Sequence, residues 1–284
     1  MINRLHFFVF VSGLVIATLA RAADDLHPPS VGDSKALRAA VARGLDVVTK
    51  AAGRYPENQS CFSCHHQTLP LLAAVTARDH GVSIDQTLLP AQTAFTHASF
   101  HDDLDDLRQG RGIGGRAMTV GYGLWALRLT DTPADETTEA MVTYLLKVQH
   151  DDGHWSRQTS RPPLEESNVA CTTVAIYALQ KYAAESQRAA ANASIDKAVR
   201  WLAEAKIESQ DDRCFRLWSL NLLGASAEQI AETRRTVLAS QRSDGGWAQL
   251  DTMESDAYAT GQTLWILQAT GFDSAEDAYQ RGTK

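Results

Sequence analysis

Apolar residues along this chain recur mostly three or four positions apart, and strict alternation of apolar and polar residues is almost absent. The first spacing is typical of amphipathic α-helices and the second of half-buried strands. Short stretches rich in Gly, Asp and Asn separate the apolar segments, as turns do between helices. The pattern therefore predicts an all-α protein.

One apolar helix pattern is repeated along the chain. Each copy places a large aromatic residue two positions before a Leu, within the segments 119–131, 171–183, 214–225 and 259–271. The aromatic residues are Trp125, Tyr177, Trp218 and Trp265. An earlier segment, 66–81, fits the same pattern with Val75 at the aromatic position. Such internal similarity is typical of stacked repeat architectures.

A second, more amphipathic helix is predicted before each of these segments, at 34–52, 86–101, 135–149, 191–206 and 227–241. The repeating unit is therefore helix, loop, helix. One such unit cannot bury its apolar faces alone, so the units must pack side by side, with the more apolar helices as an inner layer. We expect an α/α toroid of about five helix pairs, formed by residues 34–284 as a single domain.

The outer-helix pattern begins once more near the end of the chain. Ser274 suits an N-cap and Asp277 stands at the capping-box position, which predicts the start of a sixth outer helix. No sixth inner-helix segment follows in the sequence. We therefore expect a toroid that is incomplete at its C-terminal end, either as a truncated ring or as a ring whose gap a partner fills.

Two loops carry a more specific signal. Gln149 is followed by an acidic turn and Trp155, and Gln241 is followed by a similar turn and Trp247. These segments resemble the Gln–Trp repeats of the squalene-cyclase and protein-prenyltransferase superfamily, whose fold is an α/α toroid. The resemblance implies that each Gln and Trp has a structural role, tying the end of an outer helix to the loop before the next inner helix.

The resemblance also implies chemistry that can be tested against the residues. Squalene-hopene-type cyclases protonate an isoprenoid with an Asp-x-Asp-Asp motif at the start of an inner helix. Here Asp103, Asp105 and Asp106 form that motif, but "LRQGRGIGG" follows it and the inner helix is predicted to begin only at Thr119. A solvated acidic turn is therefore favoured over a catalytic acid. A cyclase-like enzyme acting on an isoprenoid in the toroid cavity stays as the alternative function.

Protein prenyltransferases hold a catalytic zinc with Asp, Cys and His. Asp212 and Cys214 resemble two of these ligands, whereas the family's His falls on Ala259. A catalytic zinc needs three protein ligands and an open position, so prenyl transfer is rejected. Asp212 and the nearby Asp256 remain weak candidates for the mouth of the toroid, and whether the protein is an enzyme stays open.

The repeated aromatic residues have two interpretations. A lining of aromatic rings can stabilise a carbocation in a cavity by cation–π attraction. Large aromatic side chains also dominate ordinary helix packing. Because each ring recurs at the same repeat position regardless of the chemistry around it, packing between inner and outer helices is favoured.

The N-terminus has the composition of a secretory signal. Arg4 precedes an apolar run from Leu5 to Ala20, and the small residues up to Ala22 suit a cleavage site. We predict a signal peptide at residues 1–22, a flexible segment at 23–33 and a periplasmic or secreted bacterial protein. Cleavage would change the formal net charge from −7 to −9, since it removes Arg4 and Arg21. This excess of acid argues against nucleic acid as a partner, and no later segment is apolar enough to span a membrane.

The segment "CFSCHH" raises the main functional question. Cys61, Cys64 and His65 have the order and spacing of a c-type haem attachment site, with two thiols for the thioethers and His65 for the iron. Two other interpretations stay open, a Cys61–Cys64 disulfide and a zinc site. For a haem, Met118 is the first candidate for the sixth iron ligand, followed by His101 and His154.

Two further cysteines, Cys171 and Cys214, stand at similar positions in successive inner helices, so we expect them to lie near each other and to be able to form a disulfide.

The function favoured by the sequence is an exported toroid protein that carries haem c or a redox-active thiol pair. Its partner would be a redox protein or an apolar ligand.

Overall fold

The computed structural model describes residues 34–158, 160 and 166–284. The predicted signal peptide, 1–22, and the segment 23–33 lie outside the described residues. Within the described ranges the chain forms twelve α-helices, two short 3₁₀ turns and no β-strand. This confirms the all-α class. The helices are α1 (Ser34–Arg54), α2 (Thr68–Asp79), α3 (Leu88–His101), α4 (Leu104–Gln109), α5 (Arg116–Leu129), α6 (Glu136–Val148), α7 (Asn168–Tyr182), α8 (Arg188–Glu204), α9 (Gln210–Leu222), α10 (Ala227–Ala239), α11 (Ala257–Ala269) and α12 (Asp277–Gly282).

The helices form two layers. The inner layer consists of α2, α5, α7, α9 and α11, and each of these packs against the next one in this order. The helices α1, α3, α6, α8 and α10 lie on the outside of this layer, and each contacts an inner helix. The first and last inner helices, α2 and α11, share no extensive interface in the described part of the chain.

The helices of the two layers differ in how many of their residues are buried. Every residue of α7 from Val169 to Ile176 is buried, whereas α10 buries only Val237. A helix that is apolar on all sides must be surrounded by protein, and a helix with one apolar stripe suits the surface. The short helix α4 was not predicted as an element of its own; it packs against α6 on the outside.

Four inner helices, α2, α5, α9 and α11, end in the same left-handed turn. The amide of the residue after the turn donates to the carbonyl five residues earlier in each helix, at 2.9–3.0 Å. This is a Schellman motif, which places one residue in the left-handed region and therefore favours glycine there. That residue is glycine in three of the helices and aspartate in α5. The four residues are Gly81 (φ 75°), Asp131 (φ 51°), Gly224 (φ 66°) and Gly271 (φ 76°).

Gln149 and Trp155 join three parts of the structure. The Gln149 side-chain amide donates to the carbonyl of Gly153 at 2.8 Å and to that of Ser194 in α8 at 2.8 Å. The Trp155 indole donates to the carbonyl of Leu145 in α6 at 2.7 Å and is completely buried. The loop is thus attached to the preceding outer helix and also to the next one.

The second loop repeats this geometry. Gln241 donates to the carbonyls of Gly245 at 2.8 Å and of Ala278 in α12 at 2.7 Å. Trp247 is also completely buried, and its indole donates to the carbonyl of Val237 at 3.0 Å. Helix α12 therefore contacts the second loop in the same way as α8 contacts the first loop.

Candidate functional site

The loop that contains Cys61 and Cys64 is anchored by its two buried residues. Phe62 packs on Phe100 of α3, with ring centroids 5.3 Å apart. The Gln67 side chain is completely buried, accepts a hydrogen bond from the Ser63 amide at 2.8 Å and donates one to Gln92 of α3 at 3.5 Å. These contacts fix the loop on α3, immediately before α2.

The three residues of the predicted haem site differ in exposure. Cys61 and His65 are exposed and Cys64 is half-buried. The Tyr55 hydroxyl lies 3.6 Å from the Cys61 sulfur. Burial, together with Cys61 and Cys64, raises the pKa of Tyr55 to about 12, so this phenol stays protonated next to the thiol at neutral pH. Two of the three residues are therefore accessible from solvent, and the third borders the core.

The imidazoles next to the cysteines form a small aromatic group. The rings of His65 and His66 are 4.4 Å apart, and His66 stacks on Tyr55 at 4.5 Å. The Ser63 hydroxyl lies 3.4 Å from Nδ1 of His65 and 3.2 Å from Nδ1 of His66. The loop thus holds His65 close to Cys64, with Ser63 within reach of both imidazoles.

The candidates for a sixth iron ligand already have neighbours of their own. Met118 is buried in the first turn of α5. Nδ1 of His101 lies 2.9 Å from the Thr137 hydroxyl, and His154 stacks on Trp201 with centroids 5.0 Å apart. None of the three is identified by these contacts as an iron ligand.

The zinc interpretation finds no support in the described part of the chain. No group of three or more His, Cys, Asp or Glu side chains there could hold a metal ion. Haem attachment needs fewer protein groups than a zinc site, since the two thiols of Cys61 and Cys64 and the imidazole of His65 suffice. The haem, zinc and disulfide interpretations of the loop all stay predictions.

Cys171 and Cys214 are buried thiols, and the structure contains no disulfide between them. The Cys214 sulfur lies 3.4 Å from the Thr263 hydroxyl of α11 and accepts from Gln210 at 3.6 Å. Burial raises the pKa of Cys214 to about 12 and that of Cys171 well above its usual range, and Cys64 adds to the shift at Cys171. Both thiols are therefore protonated and unreactive at neutral pH.

Asp212 and Asp256 both serve the starts of helices. The Asp212 carboxylate accepts hydrogen bonds from the amides of Glu208 and Ser209 at 2.9 and 3.0 Å, and from the Ser167 hydroxyl at 2.5 Å. Asp256 is the N-cap of α11 and accepts from the amides of its first turn. These contacts explain both residues as structural carboxylates.

The acidic segment that resembles the cyclase motif lies at the start of α4, on the surface. Asp105 and Asp106 form ion pairs with Arg108 at 3.7 Å and Arg111 at 3.2 Å. Asp103 is exposed, and desolvation followed by Asp106 and Asp102 raises its pKa. The geometry is that of a solvated acidic turn at an outer helix.

Asp211 belongs to no motif recognised in the sequence, yet its pKa is strongly raised. It is 6 % exposed, and burial raises its pKa to about 7, with Asp212 and Glu166 adding to the shift. Hydrogen bonds with Gln262 and Tyr258 act in the opposite direction. The Gln262 amide also donates to the Tyr258 hydroxyl at 2.8 Å, so the three side chains form one network between α9 and α11.

A signal for Asp211 does exist in the sequence. Asp211, Cys214 and Trp218 stand at positions i, i+3 and i+7 and so share one face of α9. This is the face that carries the repeated aromatic residue. Asp211 on that face interacts with Gln262 and Tyr258 of α11, whereas Asp212, rotated by about 100° around the helix, accepts a hydrogen bond from Ser167 at the start of α7.

The four repeated aromatic residues contact one another, and we call them the aromatic cluster: Trp125, Tyr177, Trp218 and Trp265. Trp218 has centroid distances of 5.0, 4.9 and 5.3 Å to Trp125, Tyr177 and Trp265. Trp125 also lies 5.6 Å from Trp265. These ring contacts join the inner helices α5, α7, α9 and α11 to one another.

No helix within the described ranges combines the length and apolar character needed to cross a membrane. No protein-family model matches the chain, and no match is found among curated proteins.

Proposed function

We propose that this protein is an exported c-type haem protein, in which Cys61 and Cys64 form the thioether bonds and His65 ligates the iron. The observation that supports this most is the placement of the three residues in one surface loop, which Phe62 and Gln67 anchor to the helical core. Attachment of haem to a folded or folding chain requires such access. The buried thiols of Cys171 and Cys214 offer a contrast within the same chain.

A haem at this loop would supply one-electron transfer. The residues of the chain would hold it and set its surroundings: Phe62 fixes the loop, and Tyr55 places a protonated hydroxyl near Cys61. The predicted export signal leads to the periplasm or the exterior of a bacterium, where thioether attachment takes place. The partner would be a redox protein or an apolar ligand that docks near the loop.

Spectroscopy of periplasmic protein tests this proposal. Protein produced in a bacterial host with haem-attachment machinery should show the reduced α-band of a c-type cytochrome and keep its haem through acid–acetone extraction. The variant with Cys61→Ser and Cys64→Ser should lose the covalent haem, and the matched control Cys171→Ser should retain it. A colourless wild-type protein from this host would refute the proposal, and an intact mass two hydrogens below the reduced chain would indicate a Cys61–Cys64 disulfide instead.

A second candidate, a cyclase-like enzyme, rests on Asp211. This carboxyl lies in the first turn of an inner helix and is surrounded by buried groups, which favours its acid form near neutral pH. The rings of the aromatic cluster lie in contact with one another, which argues against a large substrate cavity between them. Incubation with squalene should give a cyclic product that Asp211→Asn abolishes, and the absence of any product with the wild-type protein would remove this candidate.

A further inference from the structure

A second candidate site lies away from the cysteine loop, at the other end of α2. A cleft of about 710 Å³ opens between the C-terminal ends of α2 and α5 and one face of α3. The cysteine loop precedes α2, so the length of this helix, roughly 18 Å, separates the two sites. The volume lies within the range of small-molecule sites. We call it the α2–α3–α5 cleft.

One wall of the cleft is apolar. It is formed by Ile84, Leu89, Pro90 and Leu129, which come from the loop after α2, from α3 and from the end of α5. An apolar wall with a few polar groups is the usual composition of a small-molecule site, because the wall supplies affinity and the polar groups fix the orientation.

Three titratable side chains line the cleft: Arg78, His97 and Asp131. The Arg78 guanidinium is paired with Asp79 at 2.9 Å, and His97 is paired with Asp135 at 2.6 Å. The side chain of Asp131 is exposed and forms no ion pair with any described residue. Since Arg78 and His97 each have an acidic partner, Asp131 is the acidic side chain of the cleft lining that has no partner within ion-pair distance among the described residues.

Three threonine hydroxyl groups in the cleft form a chain, in which the Thr93 hydroxyl is a donor. Thr93 lies 3.0 Å from Thr130, and Thr130 lies 3.1 Å from Thr132. The Thr93 hydroxyl also reaches the carbonyl of Leu89 at 2.8 Å. Each hydroxyl has one proton but two lone pairs, so a chain of hydroxyls that donates to a helix carbonyl keeps lone pairs for a ligand. The middle of the cleft therefore suits a ligand that brings N–H or O–H donors.

The backbone position of Asp131 limits which substitutions this turn accepts. Asp131 occupies the left-handed position at the end of α5, where α2, α9 and α11 have glycine. Glycine forms such a turn without strain, and aspartate and asparagine tolerate it better than most other residues. Glycine and asparagine can therefore replace the carboxylate without disturbing the turn.

We propose that the α2–α3–α5 cleft binds a small organic cation, a primary ammonium on an apolar body. The ammonium would be held by the carboxylate of Asp131 and the hydroxyl of Thr132, and the apolar body would lie against Leu89 and Leu129. A ligand of this class complements the Asp131 carboxylate, the threonine hydroxyls and the apolar wall together. The site is independent of whether haem is attached at the cysteine loop.

Titration calorimetry with n-hexylammonium tests the proposal, with hexanol and hexanoate as matched neutral and anionic probes. Hexylammonium should bind most tightly, and added salt should weaken its binding. Asp131→Asn and Asp131→Gly both preserve the turn, and each should weaken hexylammonium about fivefold, the size of a partly exposed ion pair. Glu254→Gln, an exposed acid outside the cleft, is the control and should leave the affinity unchanged.

Three results would overturn the proposal. Hexylammonium could fail to bind, hexanoate could bind as tightly as hexylammonium, or both Asp131 variants could bind with wild-type affinity. Perturbation of the side-chain NMR signals of Leu89 and Leu129 on titration should place the ligand, and perturbation confined to other residues would also count against the cleft.

Discussion

Replacing Asp211 with asparagine should stabilise the protein at alkaline pH. The buried carboxyl has a pKa of about 7 in the folded protein, against an ordinary value of 3.8. The folded chain therefore keeps a proton between about pH 4 and pH 7 that the unfolded chain has released, so the free energy of unfolding falls as the pH rises through this window. Above pH 7, ionisation of the buried Asp211 lowers the free energy of unfolding by its full amount, on the order of 4 kcal/mol at 1.36 kcal/mol per pH unit.

Asparagine is neutral at every pH and nearly equal in size, so it removes this cost while leaving an amide to bond with Tyr258 and Gln262. Urea unfolding from pH 5 to pH 8.5 measures the effect. The variant should be more stable than the wild type at pH 8, and its stability should depend less on pH between pH 5 and pH 7. The two proteins should converge as the pH approaches 4.

The neighbouring carboxylate is the matched control. Asp212 accepts three hydrogen bonds, from Glu208, Ser209 and Ser167. Asp212→Asn leaves one carbonyl oxygen for these donors, and each unsatisfied buried donor costs about 1–3 kcal/mol. Adjacent, chemically identical substitutions should therefore change stability in opposite directions at pH 8. Destabilisation by Asp211→Asn at pH 8, or an unchanged slope between pH 5 and pH 7, would refute the reasoning.

Three further predictions concern two glycine positions and one buried hydrogen bond. A Cβ on Gly153 would lie 2.5 Å from the backbone carbonyl of Lys197, and the residue has a φ of 105°, so Gly153→Ala should lower the free energy of unfolding by about 2 kcal/mol or more. A Cβ on Gly44 in α1 would meet no atom within 4 Å, so Gly44→Ala should raise the free energy of unfolding by about 0.5–1 kcal/mol. Chemical denaturation measures both changes. Trp155→Phe leaves the buried carbonyl of Leu145 without its donor and should cost about 1–3 kcal/mol, which a thermal melt detects; a melting temperature equal to that of the wild type would argue against the role of this hydrogen bond.

The helices were the most predictable part of the structure. Spacing of apolar residues predicted an outer helix at 227–241, and α10 spans Ala227–Ala239. Helix α4 was not predicted because six residues are too few for a periodic pattern to stand out. The start of α5 at Arg116 rather than Thr119 depends on Gly115, whose left-handed backbone begins the helix without a side-chain cap.

The site was less predictable, for a geometric reason. Motif comparison directed attention to Asp212, whereas the carboxyl with the raised pKa is that of its neighbour Asp211. One position along a helix is a rotation of about 100°, so a motif can identify the right turn and still select the wrong side chain. The contacts within the aromatic cluster could not be predicted either. The repeats show which residues are equivalent, but they do not show that equivalent residues touch.

The contact between Trp125 and Trp265 limits how this architecture can vary in size. In a linear repeat protein each unit touches only its neighbours, so units can be gained or lost without disturbing the rest. Trp125 belongs to the second inner helix and Trp265 to the fifth, and their rings lie 5.6 Å apart. Duplicating or deleting a helix pair between them would separate or crowd the two rings. The number of units is thus fixed by a side-chain contact, and this protein is not modular although its sequence is repetitive.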